Sequence, residues 1–411
     1  MASGSCGPTD NTEDAVGLPI PESAHANPEE EQLIAKARQI AEEVLLPNAE
    51  RSDQAEGPNR ENFRALAEAG LLGIALPKEY GGSNVSGETQ RAITEILASA
   101  CGVTTFVQAQ HHGPSRMIAN GPNPALKERL VPELAAGRML CGVSFAHLRR
   151  PGPPVLRAEP VPGGYRLYGT APWVTGWGLM NQVVFGATLP DERFVYVWVP
   201  AHREEFPELF EGLTPPDGDW GRYQASPPLR LCAMNASATV TLTLEGLFVP
   251  EAHRLQFSDR ETLRCNDRKG VLGGTALPMG CAAGAVRLLC SLAEKRPIPA
   301  IRQSAEHFTQ ELARTRRAIA EWNARNNEPD FFEKAVRLRA HAIRLAVRAA
   351  HAAVAASSGA ANLLSNPAQR LFREAMFYTV QAQTQEVMAA TLQLLEEETL
   401  EDLLPPPETS A

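Results

Sequence analysis

The chain has 411 residues, which is long enough for two or three domains of about 150 residues each. Hydrophobic residues make up 44% of it, and this ordinary fraction excludes wholesale disorder and collagen-like or coiled-coil repeats. The net charge of -9 argues against a nucleic-acid partner, because nucleic acids are bound by basic surfaces. No apolar run approaches the roughly 18 residues that span a bilayer, so the sequence predicts no transmembrane helix.

The cysteine pattern indicates the compartment. The chain has 7 cysteines, scattered singly. An odd number without Cys-x-x-Cys spacing favours reduced thiols over a disulfide frame or a metal site. The polar stretch over residues 1–31 lacks the basic and apolar regions of a signal peptide. We therefore predict a cytoplasmic protein without a metal site.

Residues 1–28 are polar and predict a flexible tail. Helical spacing begins near Glu31, and Pro47 is expected to end this first helix. Further helices are predicted over residues 60–69, 88–99, 104–118 and 124–135. Residues 29–138 therefore predict an N-terminal helical domain.

Short alternating segments replace the helices between Met139 and about Pro250. Strands are predicted over residues 164–169, 193–199 and 239–249, where β-branched and aromatic residues alternate with polar ones or form a short run. We therefore predict a central β-domain, a barrel or a sandwich, over residues 139–255.

Helices return from about Gly270. Apolar stripes predict helices over residues 282–293, 306–325, 335–356 and 367–397. They form a predicted C-terminal bundle over residues 256–404, followed by a tail at 405–411. The order of the elements, helices first, then strands, then helices again, excludes a doubly wound sheet and predicts an α+β fold.

Five segments carry a family resemblance in this order. They are GLLGIALPKEYGG at 70–82, KERLVPELAAG at 127–137, APWVTG at 171–176, LEGLFVP at 244–250 and PAQRLFREA at 367–375. With them the chain resembles the acyl-CoA dehydrogenase superfamily of flavoproteins from about residue 32 to 395. The resemblance implies a C-terminal four-helix bundle, FAD, and a small-molecule substrate such as an acyl-CoA or a carrier-bound acyl group. It also implies a homodimer or homotetramer whose flavin sites borrow residues across subunits.

The resemblance carries flavin contacts over to several positions. Trp173 and Thr175 match the Trp that covers the ring and the Thr that reaches its N5 side. Because alternate strand positions share a face, both are expected to face one ligand, although a core aromatic and an ordinary strand threonine are the alternative. The remaining cofactor positions are Ser144 as a hydroxyl donor, Arg296 and Gln303 in the partner-subunit region, and Thr384 at the family's threonine near the catalytic carboxylate.

Two arginines stand where the family has Gly-Ser-Asp. Arg149 and Arg150 would clamp a phosphate or the thioester end of a substrate, since a guanidinium binds such oxygens in pairs. A solvated turn is the equally weighted alternative.

The family's catalytic carboxylate falls on Ala382. A methyl group cannot take the α-proton of a thioester, for which a carboxylate is suited. Glu386 stands four residues later and would share a helix face with residue 382, although an exposed surface role is favoured.

A histidine pair offers a different chemistry. A sister branch of the superfamily lacks the Glu, oxidises substrates with reduced flavin and oxygen, and often carries a His in the helix before the β-domain. Here that helix contains His111 and His112, which would act as a base or stabilise an oxygen intermediate. Capping of the helix end is the alternative.

Three functions follow. The first is a FAD-dependent oxidoreductase acting on an acyl thioester or related small molecule. The second is a monooxygenase on the same fold that uses reduced FMN or FAD supplied by a reductase. The third is a non-catalytic scaffold with a degenerate flavin site.

Overall fold

The computed structural model describes residues 27–396. The predicted tail at 405–411, residues 397–404 of the predicted bundle, and all but the last two residues of the tail at 1–28 lie outside this range. Within it, the α+β architecture is confirmed: helices, a central sheet, then helices.

The first five N-terminal helices line one apolar core, and the sixth packs with strands of the sheet in a second core. The N-terminal helices are Pro28–Ile40 (α1), Leu46–Gln54 (α2), Arg60–Glu68 (α3), Gly87–Ala100 (α4), Gly102–Asn120 (α5) and Pro124–Ala135 (α6). The prediction that Pro47 ends the first helix is wrong. A π-helical turn, Ala41–Leu45, joins α1 to α2 directly before Pro47, so the chain stays helical past the proline.

The central domain is a single mixed sheet of eight strands. They are Cys141–Ser144 (β1), Leu156–Val161 (β2), Gly164–Val174 (β3), Gln182–Thr188 (β4), Phe194–Pro200 (β5), Arg222–Ala225 (β6), Val240–Pro250 (β7) and Arg254–Ser258 (β8). Their order is β6-β7-β3-β2-β4-β5-β8, and β1 runs parallel to β4. A short helix, Pro207–Phe210 (α7), lies between β5 and β6.

The C-terminal helices begin after the sheet. They are Arg260–Lys269 (α8), Ala276–Lys295 (α9), Pro299–Ala324 (α10), Phe331–Ser357 (α11), Pro367–Val380 (α12) and Gln385–Glu396 (α13). The prediction of one last helix from residue 367 is wrong, because residues 381–384 interrupt it and Ala382 has a left-handed φ of 47°. An alanine in this conformation cannot continue a right-handed helix.

The N- and C-terminal helices share one core through α4 and α9. Gly280 and Gly284 of α9 lie against the backbone of α4, and neither has a side chain that would keep the two helices apart. A Cβ at Gly280 would lie 2.5 Å from both the Glu95 carbonyl oxygen and the Ala98 Cβ. These glycines therefore permit backbone contact between the two bundles.

One helical segment, Val271–Lys295, is long and apolar enough by length and composition to cross a membrane. Within its most apolar window, 67% of the residues are buried inside the fold, as expected of a core helix.

Candidate functional site

Trp173 stands out at the end of β3. Its side chain is 46% exposed and its φ is 59°, a conformation that bulky residues rarely adopt. The pairing of β3 with β7 shifts register between Ala171 and Val174, so the tryptophan lies in an irregularity of the strand. A strained backbone that presents a large aromatic side chain to solvent is typical of a ligand-binding position.

The neighbouring hydroxyl groups are buried and bonded within the protein. Thr175 Oγ1 lies 3.0 Å from Thr239 Oγ1, which lies 2.8 Å from Ser237 Oγ. Ser144 Oγ donates to the Pro172 carbonyl at 3.0 Å. The strand irregularity breaks the alternation expected of residues 173 and 175, since the first is half exposed and the second is buried.

Arg149 is already paired. It lies in the turn after β1, and its Nε and one terminal nitrogen donate to the Asp267 carboxylate at 2.8 and 2.7 Å. Arg150 is exposed beside it. A phosphate at Arg149 would therefore compete with Asp267.

A buried arginine that the sequence did not single out holds the loop at 381–384. Arg339 of α11 donates from one terminal nitrogen to the carbonyl oxygens of Gln381 (3.2 Å) and Ala382 (2.9 Å). Burial lowers the pKa of its guanidinium to about 10, and the nearby Asp267 acts in the opposite direction. Neither Arg339 nor Asp267 belongs to a recognisable motif, so only the fold reveals them.

The loop ends at Thr384, the residue directly before α13. Its Oγ1 accepts the Val387 N–H at 3.3 Å. Glu386 is exposed in the first helical turn, where the helix dipole favours a carboxylate. The argument that Ala382 and Glu386 share a helix face is wrong, because Ala382 lies in the loop before the helix.

The histidine pair lies in the core of α5. His111 is fully buried, and its Nδ1 accepts the Cys141 N–H of β1 at 3.1 Å. Because that nitrogen accepts, the proton of the neutral ring is on Nε2. Burial lowers the pKa of His111 to about 4, opposed in part by the carbonyl groups of Leu134 and Leu72.

His112 is also buried. Neither of its ring nitrogens has a hydrogen-bond partner among residues 27–396. Burial, and then the proximity of His111 and Arg116, lowers its pKa to about 3. Both rings are therefore neutral near pH 7, and their catalytic role stays a prediction.

Arg296 and Gln303 are the residues expected near a partner subunit, and they lie far from the histidine pair in the sequence. The Arg296 guanidinium donates to the Ala356 carbonyl at 2.6 Å, joining the ends of α9 and α11. Gln303 is exposed in the first turns of α10. Of the expected cofactor residues, Trp173 has the side chain most available to a planar ligand, and in this respect the structure fits a flavin ring.

Sequence comparisons identify relatives over part of the chain. Residues 27–138 match the family described as acyl-CoA dehydrogenase, N-terminal domain. Mitochondrial isovaleryl-CoA dehydrogenase of Pongo abelii is 26% identical over 246 residues, covering 58% of this chain and 55% of that protein. Acryloyl-CoA reductase (NADH) of Anaerotignum propionicum is 34% identical over 110 residues, covering 26% and 28%. The chain thus spans about half or less of the length of these relatives.

Structural comparison extends the similarity to most of the chain. Butyryl-CoA dehydrogenase from Megasphaera elsdenii matches with a TM-score of 0.74 at 16% identity, over 91% of this chain and 100% of that one. A glutaryl-CoA dehydrogenase from Mycobacterium smegmatis, solved with FADH2, matches with a TM-score of 0.73 at 16% identity, over 91% and 96%. At this identity the likeness shows the fold alone.

Proposed function

Because the chain belongs to the acyl-CoA dehydrogenase superfamily, we propose that it is a FAD-dependent oxidoreductase acting on an acyl thioester or a related small molecule. The observation that carries this proposal is Trp173, an exposed aromatic side chain on a left-handed backbone. FAD, when bound, would supply the hydride-accepting chemistry, while the protein would position it. Trp173 would cover one face of its ring.

The proposed oxidation of an acyl thioester would have no carboxylate available at residue 382. Ala382 is exposed and has only a methyl group. Glu374, the carboxylate of the preceding helix, is buried and paired with Arg370 at 2.6 Å. Glu386 remains available, but at a helix N-terminus rather than on the loop. Since general base catalysis contributes about 10²–10⁴-fold, we expect slow oxidation of a saturated acyl-CoA.

The test begins with the purified protein and FAD. We expect a flavin spectrum and slow anaerobic bleaching by saturated acyl-CoA substrates. Ala382→Glu should accelerate bleaching at least about tenfold, whereas the matched Ala382→Gln variant should not. Absence of flavin binding in either redox state would overturn the proposal, and failure of every acyl-CoA to bind would overturn the substrate class. Equal bleaching in all three proteins would show that residue 382 plays no part, and Glu386→Gln would then be measured.

The second candidate is a monooxygenase that receives reduced FMN or FAD from a reductase. The missing carboxylate at Ala382 favours it, because such a reaction needs no α-proton abstraction. The burial of His111 and His112 weakens it, since neither ring presents a nitrogen to solvent. Oxygen uptake with reduced flavin, coupled to product rather than to hydrogen peroxide, would establish it. A scaffold without catalysis is supported only if the protein binds no flavin.

We also propose that the protein forms a homodimer or homotetramer through α12 and α13. Their outer faces carry apolar side chains at helical spacing, all more than a third exposed: Phe372, Met376, Val380, Met388, Leu392 and Leu395. Such a stripe on a helix surface is typical of a contact between subunits. Light scattering should show Val380→Asp or Leu392→Asp shifted to a smaller species. Ile298→Asp, at an exposed apolar residue before α10, is the control; an equal effect there would contradict the assignment.

The cytoplasmic location also remains a proposal. The cysteines that the structure describes are all free thiols: Cys101, Cys141, Cys232, Cys265, Cys281 and Cys290. Reduced thiols are usual in the cytoplasm.

A further inference from the structure

Arg339 is a buried cation without a carboxylate partner in the described part of the chain. It is 5% exposed, none of the ion pairs within residues 27–396 includes it, and its Nε has no hydrogen-bond partner there. Removing a guanidinium from water is costly unless its contacts compensate. Its hydrogen bonds go to backbone carbonyl groups of the loop at 381–384. We therefore expect Arg339 to stabilise that loop.

That loop is held in an unfavourable conformation. Ala382 has a φ of 47°, and the two carbonyl oxygens that Arg339 binds belong to Ala382 and Gln381. A left-handed alanine persists only where the surroundings fix it. Arg339 supplies that fixation from a different helix.

The direction of the guanidinium is itself determined by its neighbours. A Cβ at Gly274 would lie 2.5 Å from the Arg339 Cζ, so the glycine backbone forms a wall against the guanidinium. Asp267 forms its two hydrogen bonds with Arg149, so the hydrogen bonds of Arg339 are those to the loop.

We propose that Arg339 is a positioning residue for the loop at 381–384. The loop carries Thr384 and the position that lacks the carboxylate. The hydrogen bonds from Arg339 would therefore keep this loop in a fixed geometry relative to α11. That this geometry matters for a flavin rests on the function proposed above.

The first test needs no cofactor. Hydrogen exchange of the backbone amides of residues 381–387 should accelerate about tenfold or more in Arg339→Gln, because two hydrogen bonds are lost. Arg339→Lys should restore part of the protection. Asp191→Asn, which breaks an exposed ion pair with Arg193, is the matched control and should change nothing. Unchanged exchange in Arg339→Gln would overturn the proposal.

The second test separates this inference from the proposed function. If the wild-type protein binds FAD, Arg339→Gln should weaken the affinity for FAD severalfold, whereas Asp191→Asn should leave that affinity and the visible spectrum of the flavin unchanged. Unchanged affinity together with faster loop exchange would overturn the coupling to the site. If the wild-type protein binds no flavin, the proposed function fails, while the exchange result still decides the positioning role. Should Arg339→Gln not fold, Arg339→Lys carries both tests, because it keeps the buried charge but not the guanidinium fork, and smaller changes of the same direction are expected.

Discussion

Replacement of Trp173 separates a ligand platform from a core aromatic residue. The perturbation is Trp173→Leu, compared with Trp198→Leu in β5. Trp198 is fully buried, contacts the rings of Phe206 and His253, and its Nε1 donates to Gln182. The same chemical change is thus made at a half-exposed and at a fully buried tryptophan.

The structure sets the expected magnitudes. An aromatic side chain buries about 150–250 Å² when fully enclosed, and Trp173 is 46% exposed. It therefore buries roughly 80–130 Å², which at about 25 cal/mol/Å² limits the loss of stability to about 2–3 kcal/mol, less what leucine retains. Leucine does not relieve the left-handed backbone, so no compensating gain is expected. At Trp198 the loss should be about 3–5 kcal/mol, because a cavity forms and Gln182 loses its donor.

Flavin affinity should show the opposite order. Stacking of a planar ring on an aromatic side chain contributes about 1–3 kcal/mol, so Trp173→Leu should weaken FAD binding about 10- to 100-fold, and Trp173→Phe much less. Fluorescence titration with FAD and thermal unfolding provide the two measurements. A loss of stability at Trp173 as large as at Trp198, with unchanged flavin affinity, would identify Trp173 as a core residue and refute the reasoning.

Two further predictions concern the core. Gly280→Ala should lower the free energy of unfolding by roughly 1–2 kcal/mol, since its Cβ would displace the backbone of α4. Gly87→Ala, in open space at the start of α4, should leave the free energy of unfolding unchanged or raise it, and urea denaturation checks the pair. Burial lowers the pKa of His111 to about 4 and of His112 to about 3, so below the unfolded value of about 6.5 the unfolded chain binds protons that the folded protein excludes. Stability should therefore fall as the pH falls from about 6.5 to 4, and His112→Leu should reduce this fall in denaturation midpoints at pH 7 and pH 5; an unchanged pH dependence would contradict burial of the neutral ring.

The order of the segments was predictable because it depends on local periodicity. The helix Pro124–Ala135 has the predicted bounds, since Pro124 begins it and apolar residues recur along one face. The predicted domain boundaries themselves stay predictions. The π-helical turn before Pro47 and the loop at 381–384 were missed, because neither an alanine with positive φ nor a π turn has a sequence signal.

The candidate site was predictable only where a family motif named it. Trp173 was found in this way, but its exposure depends on an irregularity of β3 that alternation does not predict. Arg149 was found as a possible phosphate ligand, and its partner Asp267 lies 118 residues away. Such a pair depends on how α8 docks against the sheet, which no local pattern encodes.

The loop at 381–384 joins these observations. Its backbone is held in a strained conformation by a buried arginine, although the side chain at its exposed position is only a methyl group. If the loop served proton transfer alone, loss of the carboxylate would leave nothing to maintain a buried cation, which is costly, or an alanine at positive φ. Its order therefore favours a role that the backbone and Thr384 can perform, which under the function proposed above would be the shaping of the flavin site rather than the transfer of a proton.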